Sequence, residues 1–130
     1  MKRFSAAVVC TAIASLAALW ACEGTTRQGT LYRMQADREI EIYLAGDLDA
    51  VYQAALEVVE TEYGYTVEAS AVDAKEGLVR ARTALGHEVR VEMYRYSEQV
   101  TRVEAYAGPR GSEAATAEVL SAIEARLAAP

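Results

Sequence analysis

Histidine occurs once in the 130 residues, cysteine and proline twice each, and phenylalanine and tryptophan once each. One His and two Cys fall short of the soft ligands a zinc site requires. Two Cys also cannot staple a small domain through a disulfide framework. Basic side chains are the minority, 13 Lys plus Arg against 19 Asp plus Glu, for a net charge of −6 and a pI near 4.8. Without a basic footprint, nucleic acid and anionic lipid surfaces are excluded as expected partners. Few prolines and 52% hydrophobic residues argue against a disordered or collagenous chain, and the length suits one small globular domain.

Charge is also unevenly placed. Lys2 and Arg3 open the chain, no charge follows from Phe4 through Cys22, and Glu23 is the first acid. A basic start, an apolar stretch and a small residue before the break form the pattern of a secretory signal peptide. The stretch is mostly Ala, Val, Leu, Ser and Thr, milder than the ~20 strongly apolar residues of a spanning helix, so a retained anchor is the lesser alternative. Its end, Leu19-Trp20-Ala21-Cys22, resembles the lipobox of bacterial lipoproteins, with Trp20 standing where a small residue is usual. The resemblance implies cleavage between Ala21 and Cys22, a diacylglyceryl group on the Cys22 thiol and acylation (a palmitate-type chain) of the new amino terminus. Several acyl chains hold a domain stably at a membrane where one holds marginally. Read without the lipobox, the segment is an ordinary signal peptide with a Cys near its cleavage site.

Residues 1–21 are therefore expected as a cleaved leader, 22–37 as the lipidated Cys and a flexible tether, and 38–130 as a globular domain. Cleavage would remove Cys10, Phe4 and Trp20, leaving the eight Tyr as the only aromatics and 11 basic side chains against 19 acidic ones. The location implied is the bacterial envelope. Glu23 occupies the sorting position where an Asp can retain Gram-negative lipoproteins at the inner membrane, so the outer membrane facing the periplasm is favoured.

The tether is polar, although Leu31, Tyr32 and Met34 could begin an edge strand. In residues 38–44, Ile40, Ile42 and Leu44 alternate with Glu39, Glu41 and Tyr43, the period of a half-buried strand. From Leu48 the period becomes helical, through Val51, Tyr52, Ala55, Leu56, Val59 and Tyr63, with Asp47 or Asp49 as N-cap and Gly64 as the stop. Residues 65–71 read as a strand with Tyr65, Val67 and Ala69 inward, followed by a turn at 73–77. Strands at 78–85 and 88–96 meet at Gly86-His87, and 100–107 adds Thr101, Val103 and Ala105 to the buried side. Gly108-Pro109-Arg110-Gly111 ends the sheet. Ser112 then caps a helix burying Ala115, Val119, Leu120, Ile123 and Leu127. The predicted fold is α+β, a two-layer sandwich in which a largely antiparallel five-stranded sheet is covered on one face by two helices in the order β-α-β-β-β-β-α.

Leu48-Asp49-Ala50-Val51-Tyr52, Glu62-Tyr63-Gly64-Tyr65-Thr66-Val67 and the final helix after a Gly-rich turn make residues 43–127 similar to a family of small bacterial lipoproteins whose domain has no assigned function. The resemblance implies a lipid-anchored envelope protein and carries over no catalytic residue.

Chemistry is sparse. His87 lies in a turn beside Glu88, but strand neighbours point to opposite faces and no activated nucleophile accompanies it. The acid pairs Glu39/Glu41 and Glu57/Glu60 are of the kind solvated faces produce. The 108–111 loop lacks the Lys and glycine spacing of an anion site. No catalytic residue, cofactor or metal is expected. The other face of the sheet collects Arg80, Arg82, Arg90, Glu92, Tyr94, Tyr96, Arg102, Glu104 and Tyr106, with Glu39, Glu41 and Tyr43. Cross-strand pairing alone accounts for such a face, but Tyr and Arg are also enriched where proteins recognise partners. Tyr94, Tyr96, Tyr106, Arg90 and Arg102 are the candidate binding residues. The expected function is a non-enzymatic binding module held at the membrane by its lipid, with an envelope protein or cell-wall polymer as partner. A periplasmic small-ligand carrier or an enzyme, with its pocket between helices and sheet, is the alternative.

Overall fold

A computed structural model of the chain describes residues 23–129, so the expected leader, the expected cleavage between Ala21 and Cys22 and the expected lipidation of Cys22 lie outside the described residues. Seven strands form one antiparallel sheet: β1 (Glu23–Thr25), β2 (Leu31–Met34), β3 (Ile40–Ala45), β4 (Thr66–Val72), β5 (Glu76–Arg82), β6 (Glu88–Arg95) and β7 (Val100–Ala107), in the spatial order β1-β2-β3-β7-β6-β5-β4. Among the described residues two helices, α1 (Leu48–Glu57) and α2 (Glu113–Ala128), cover the same face, α1 over β5 and β6 and α2 over β7 and β3. The α+β two-layer class is as predicted, and the strand count is corrected from five to seven.

The two additional strands come from the segment expected to be a tether. Tyr32 is buried and pairs with Ile42, while Gly24 lies under its ring, where a Cβ would stand 2.3 Å from the phenol oxygen. The loop between β1 and β2 is fastened to α2. Arg27 N–H donates to the Ser121 hydroxyl at 3.2 Å, Gln28 Nε2 to the Ser121 carbonyl at 3.1 Å, and the Thr30 hydroxyl to the Glu124 carboxylate at 2.5 Å.

The remaining elements follow from local chemistry. Asp47, the first of the two candidate caps, accepts from the Ala50 N–H at 2.7 Å at the start of α1. The helix does not run evenly to Tyr63: Val58–Glu62 form a π-helical turn in which Tyr63 N–H reaches Val58 O and Tyr65 N–H reaches Val59 O, both at 2.9 Å. Those wider bonds satisfy carbonyls that a helix end leaves open. Ser112 caps α2 through the Ala115 N–H. Inside α2, the buried Thr116 hydroxyl accepts from Ala107 N–H at 3.0 Å and donates to Ser112 O at 2.6 Å, tying the helix to the end of β7.

The core is small and dense. Ile40, Ile42 and Leu44 from β3, Val79 and Ala81 from β5, Val89, Val91 and Met93 from β6, and Val103 and Ala105 from β7 meet Val51, Ala55, Val58, Val59, Leu120 and Ile123 from the helical layer. One inward assignment is corrected. A β-bulge between Val67 and Ala69 shifts the register, so Val67 pairs with Ala81 but Ala69 pairs with Arg80. Paired residues share a face, which leaves Val67 against the core and moves Ala69 to the Arg80 side.

Candidate functional site

Both helices lie on one side, and among the described residues no element covers the other face of the sheet. Its side chains form rows across the strands. The first row places Tyr106 opposite Arg90, with Arg80 opposite Arg90 on the next strand. The second sets three carboxylates side by side, Glu41, Glu104 and Glu92. The third runs Tyr43, Arg102, Tyr94 and Glu76. Like charges directly opposite each other repel, so the second row stands only because arginines from the rows beside it reach into it.

Arg90 does most of this. Its guanidinium lies over the Tyr106 ring, 5.1 Å from the centroid, and pairs with Glu39 at 2.5 Å, with Glu92 at 3.0 Å and with Glu88. Glu39 immediately precedes β3, the strand beyond β7, so this one side chain ties β6 to the start of β3 across β7. Arg102 sits 4.3 Å over the Tyr94 ring and pairs with Glu104 and, at 3.8 Å, with Glu41. The Tyr94 hydroxyl donates to Glu92 at 2.6 Å.

The titrations follow from these contacts. Burial pushes the Glu39 carboxyl above the ordinary carboxylate range, and the Arg90 hydrogen bond only partly offsets it. Burial also works against the Arg90 charge, but Glu39, Glu88 and Glu92 reverse the balance and hold the guanidinium more firmly protonated. The hydrogen bond to Glu92, reinforced by burial, keeps the Tyr94 phenol protonated well beyond the usual tyrosine range.

All five candidate binding residues lie on this side of the sheet. Arg90, Arg102, Tyr94 and Tyr106 are interlocked half-buried groups, whereas Tyr96 is exposed just past β6 and meets the exposed Tyr43 edge-on at 5.0 Å. Both arginine forks are therefore already filled by the protein's own carboxylates. Arg80, noted for its outward position, has no carboxylate within ion-pair distance among the described residues.

Arg80 opens into a cleft of about 510 Å³ at the β4 side of the face, lined by Ala71, Val72, Asp73, Glu76, Gly77, Leu78, Arg80, Arg90, Glu92 and Tyr94. Glu76, Leu78 and the 71–73 wall escaped the candidate set, because β5 begins at Glu76 and not at Leu78 and because the bulge re-aims β4. The Asp73 carboxylate takes the Lys75 and Glu76 N–H groups at 2.8 and 2.9 Å, which shapes the β4–β5 turn and holds its pKa down.

The remaining sequence candidates do not converge. His87 stands in the Thr83–His87 turn, its backbone N–H bonded to the Thr83 hydroxyl at 3.1 Å. Glu39 and Glu41 are divided between Arg90 and Arg102, and Glu57 pairs with Arg126 at 2.9 Å. In the 108–111 loop, Gly111 has φ +69°, and a Cβ there would stand 2.7 Å from the Tyr106 ring, so the loop serves a close approach. Among the described residues no group of His, Cys, Asp or Glu is placed to hold a metal, and no helix is long and apolar enough to cross a membrane.

Compared with known proteins, the chain matches a family profile over residues 2–126, nearly its full length. No curated protein matches it. The chain belongs to the family described as protein of unknown function (DUF3568).

Proposed function

We propose that this DUF3568 protein is a lipid-anchored envelope protein acting as a non-enzymatic binding module through the uncovered face of its sheet. The observation that carries the reading is that face itself: a seven-stranded sheet with both helices on one side and Tyr, Arg and Glu side chains ordered across the other. Such side chains, held rigid by one another, lose little freedom on meeting a partner. The leader and the Leu19-Trp20-Ala21-Cys22 lipobox support membrane attachment through Cys22, with the outer membrane facing the periplasm as the favoured site. The described end of the chain suits a short anchor, since Glu23 already pairs with Arg33 in the sheet. The helix–sheet layer is filled by Val51, Val58, Val59, Leu120 and Ile123, each fully buried, whereas the 510 Å³ cleft lies on the outer face; this favours recognition there over a carrier or enzyme pocket between the layers.

Two variants expressed in a bacterial host test the reading. Cys22→Ser is expected to lose acyl mass and leave the detergent phase while the wild-type chain starts at residue 22 and enters it. Tyr43→Ser with Tyr96→Ser is expected to keep the melting temperature and to lose the envelope material that wild type retains after cross-linking. Equal acylation and partitioning of wild type and Cys22→Ser overturns the anchor. Unchanged cross-links overturn the binding face.

A further inference from the structure

The cleft beside β4 carries two groups with no partner of their own among the described residues: Arg80 and Glu76, both exposed and both pointing outward from β5. They lie four residues apart on one strand, a separation of about 13 Å at the rise of a β-strand. Between them the floor is Leu78, with Ala71 beside it on β4 and, on β6, Glu92, which Arg90 and the Tyr94 hydroxyl already engage; Tyr94 stands opposite Glu76. Asp73 adds a second carboxylate at the Glu76 end. Arg90 borders the Arg80 end, but its guanidinium is satisfied by Glu39, Glu88 and Glu92, so Arg80 supplies the available fork.

A cationic end and an anionic end at this spacing, with Leu78 and Ala71 between them beside the already paired Glu92, define a ligand of the opposite polarity. It must present a carboxylate to Arg80, an ammonium to Glu76 and Asp73, and small side chains to Leu78 and Ala71. An extended chain of three or four residues covers about 10–14 Å. We propose that this cleft binds a short peptide with free amino and carboxylate groups, lying along β5 with its carboxylate on Arg80 and its ammonium on Glu76. Arg suits the carboxylate because its planar fork can take both oxygens. The proposal rests on the outer face being a recognition surface and narrows it to a ligand class. It does not depend on membrane attachment.

Isothermal titration of the full chain in detergent with tetraalanine, N-acetyl-tetraalanine and tetraalanine amide reads both ends separately. Tetraalanine is expected to bind, and blocking either terminus is expected to weaken it about tenfold, the loss of one charge-assisted contact. Arg80→Ala should bind the free acid and the amide alike while still preferring a free amine. Glu76→Lys should bind the acetylated peptide better than the free one. Both side chains are exposed and unpaired, so the folded state survives either change, which an unaltered melting temperature verifies. Blocked peptides binding as well as tetraalanine, or no peptide binding in the millimolar range, overturns the assignment. If the Tyr43/Tyr96 variant loses its envelope cross-links while tetraalanine fails to bind, only the peptide assignment falls; the reverse pattern removes the tyrosine surface and keeps the cleft.

Discussion

Ile123→Asp is expected to leave no cooperative thermal transition, whereas Ala125→Asp, two residues along the same helix, is expected to stay within about 1 kcal/mol of wild type. Ile123 has no measurable exposure and packs into the single core shared by both helices and the sheet. Replacing it removes about 2–3 kcal/mol of side-chain burial. It also forces a carboxylate either to lose its hydration or to push the helix off the sheet, at a further cost of several kcal/mol. A domain of this size is stable by only about 5–10 kcal/mol, and its core is mostly Val and Ala with little spare burial to absorb the loss. Val59→Asp should behave alike, since Val59 is equally buried in the π-helical turn against the same layer. Ala125 is exposed, so an Asp there stays hydrated. The check is near-ultraviolet circular dichroism of the tyrosines during a thermal scan. A cooperative transition in Ile123→Asp near the wild-type temperature would mean that α2 does not seal the core.

Much of that core was legible because period alone reports it. Ile40, Ile42 and Leu44, the 89–93 and 101–105 alternations and the helical spacing from Leu48 all fall on the buried side. What escaped is non-local or short. β1 and β2 offer only Tyr32 and Met34 to a period, and their place is set by pairing with β3 and by bonds from Arg27, Gln28 and Thr30 to a helix some ninety residues away. A single extra residue at Glu68 is enough to turn Ala69 outward, which no alternation rule detects before the register is known. The site shows the same division. Alternation put Arg90, Tyr94, Arg102 and Tyr106 on one face, yet it could not show that Glu39 would reach Arg90 across an intervening strand, because that depends on β7 lying between β3 and β6. Nor could it show the cleft, whose lining is gathered from the end of β4, the β4–β5 turn, β5 and β6.

That cross-strand link makes Arg90→Ala the surface-side substitution with the largest expected effect, about 3 kcal/mol of destabilisation at neutral pH. The change leaves Glu39, with a side chain only 10% exposed, without its cation, beside the unscreened Glu92 and Glu88. Glu39→Gln is expected to behave differently, shifting stability by under about 1 kcal/mol, because Arg90 keeps two carboxylates and an amide oxygen can still accept from it. The pH dependence separates the two. In the wild type the folded-state pKa of Glu39 is raised, so the folded chain holds that proton more tightly than the unfolded one. Its contribution is therefore greatest in acid and declines as pH rises from the ordinary carboxylate value through the raised one. Without Arg90 the folded-state pKa rises further, so Arg90→Ala should regain more stability than wild type as the pH falls from 7 toward 5. Glu39→Gln, lacking the group, should lose that component of the slope, and adding it to Arg90→Ala should recover part of the loss. Denaturant midpoints of the four proteins at pH 5 and 7 complete the cycle. Additive effects with identical pH slopes would show that the pair is surface decoration and that the rigidity of the sheet face has another source.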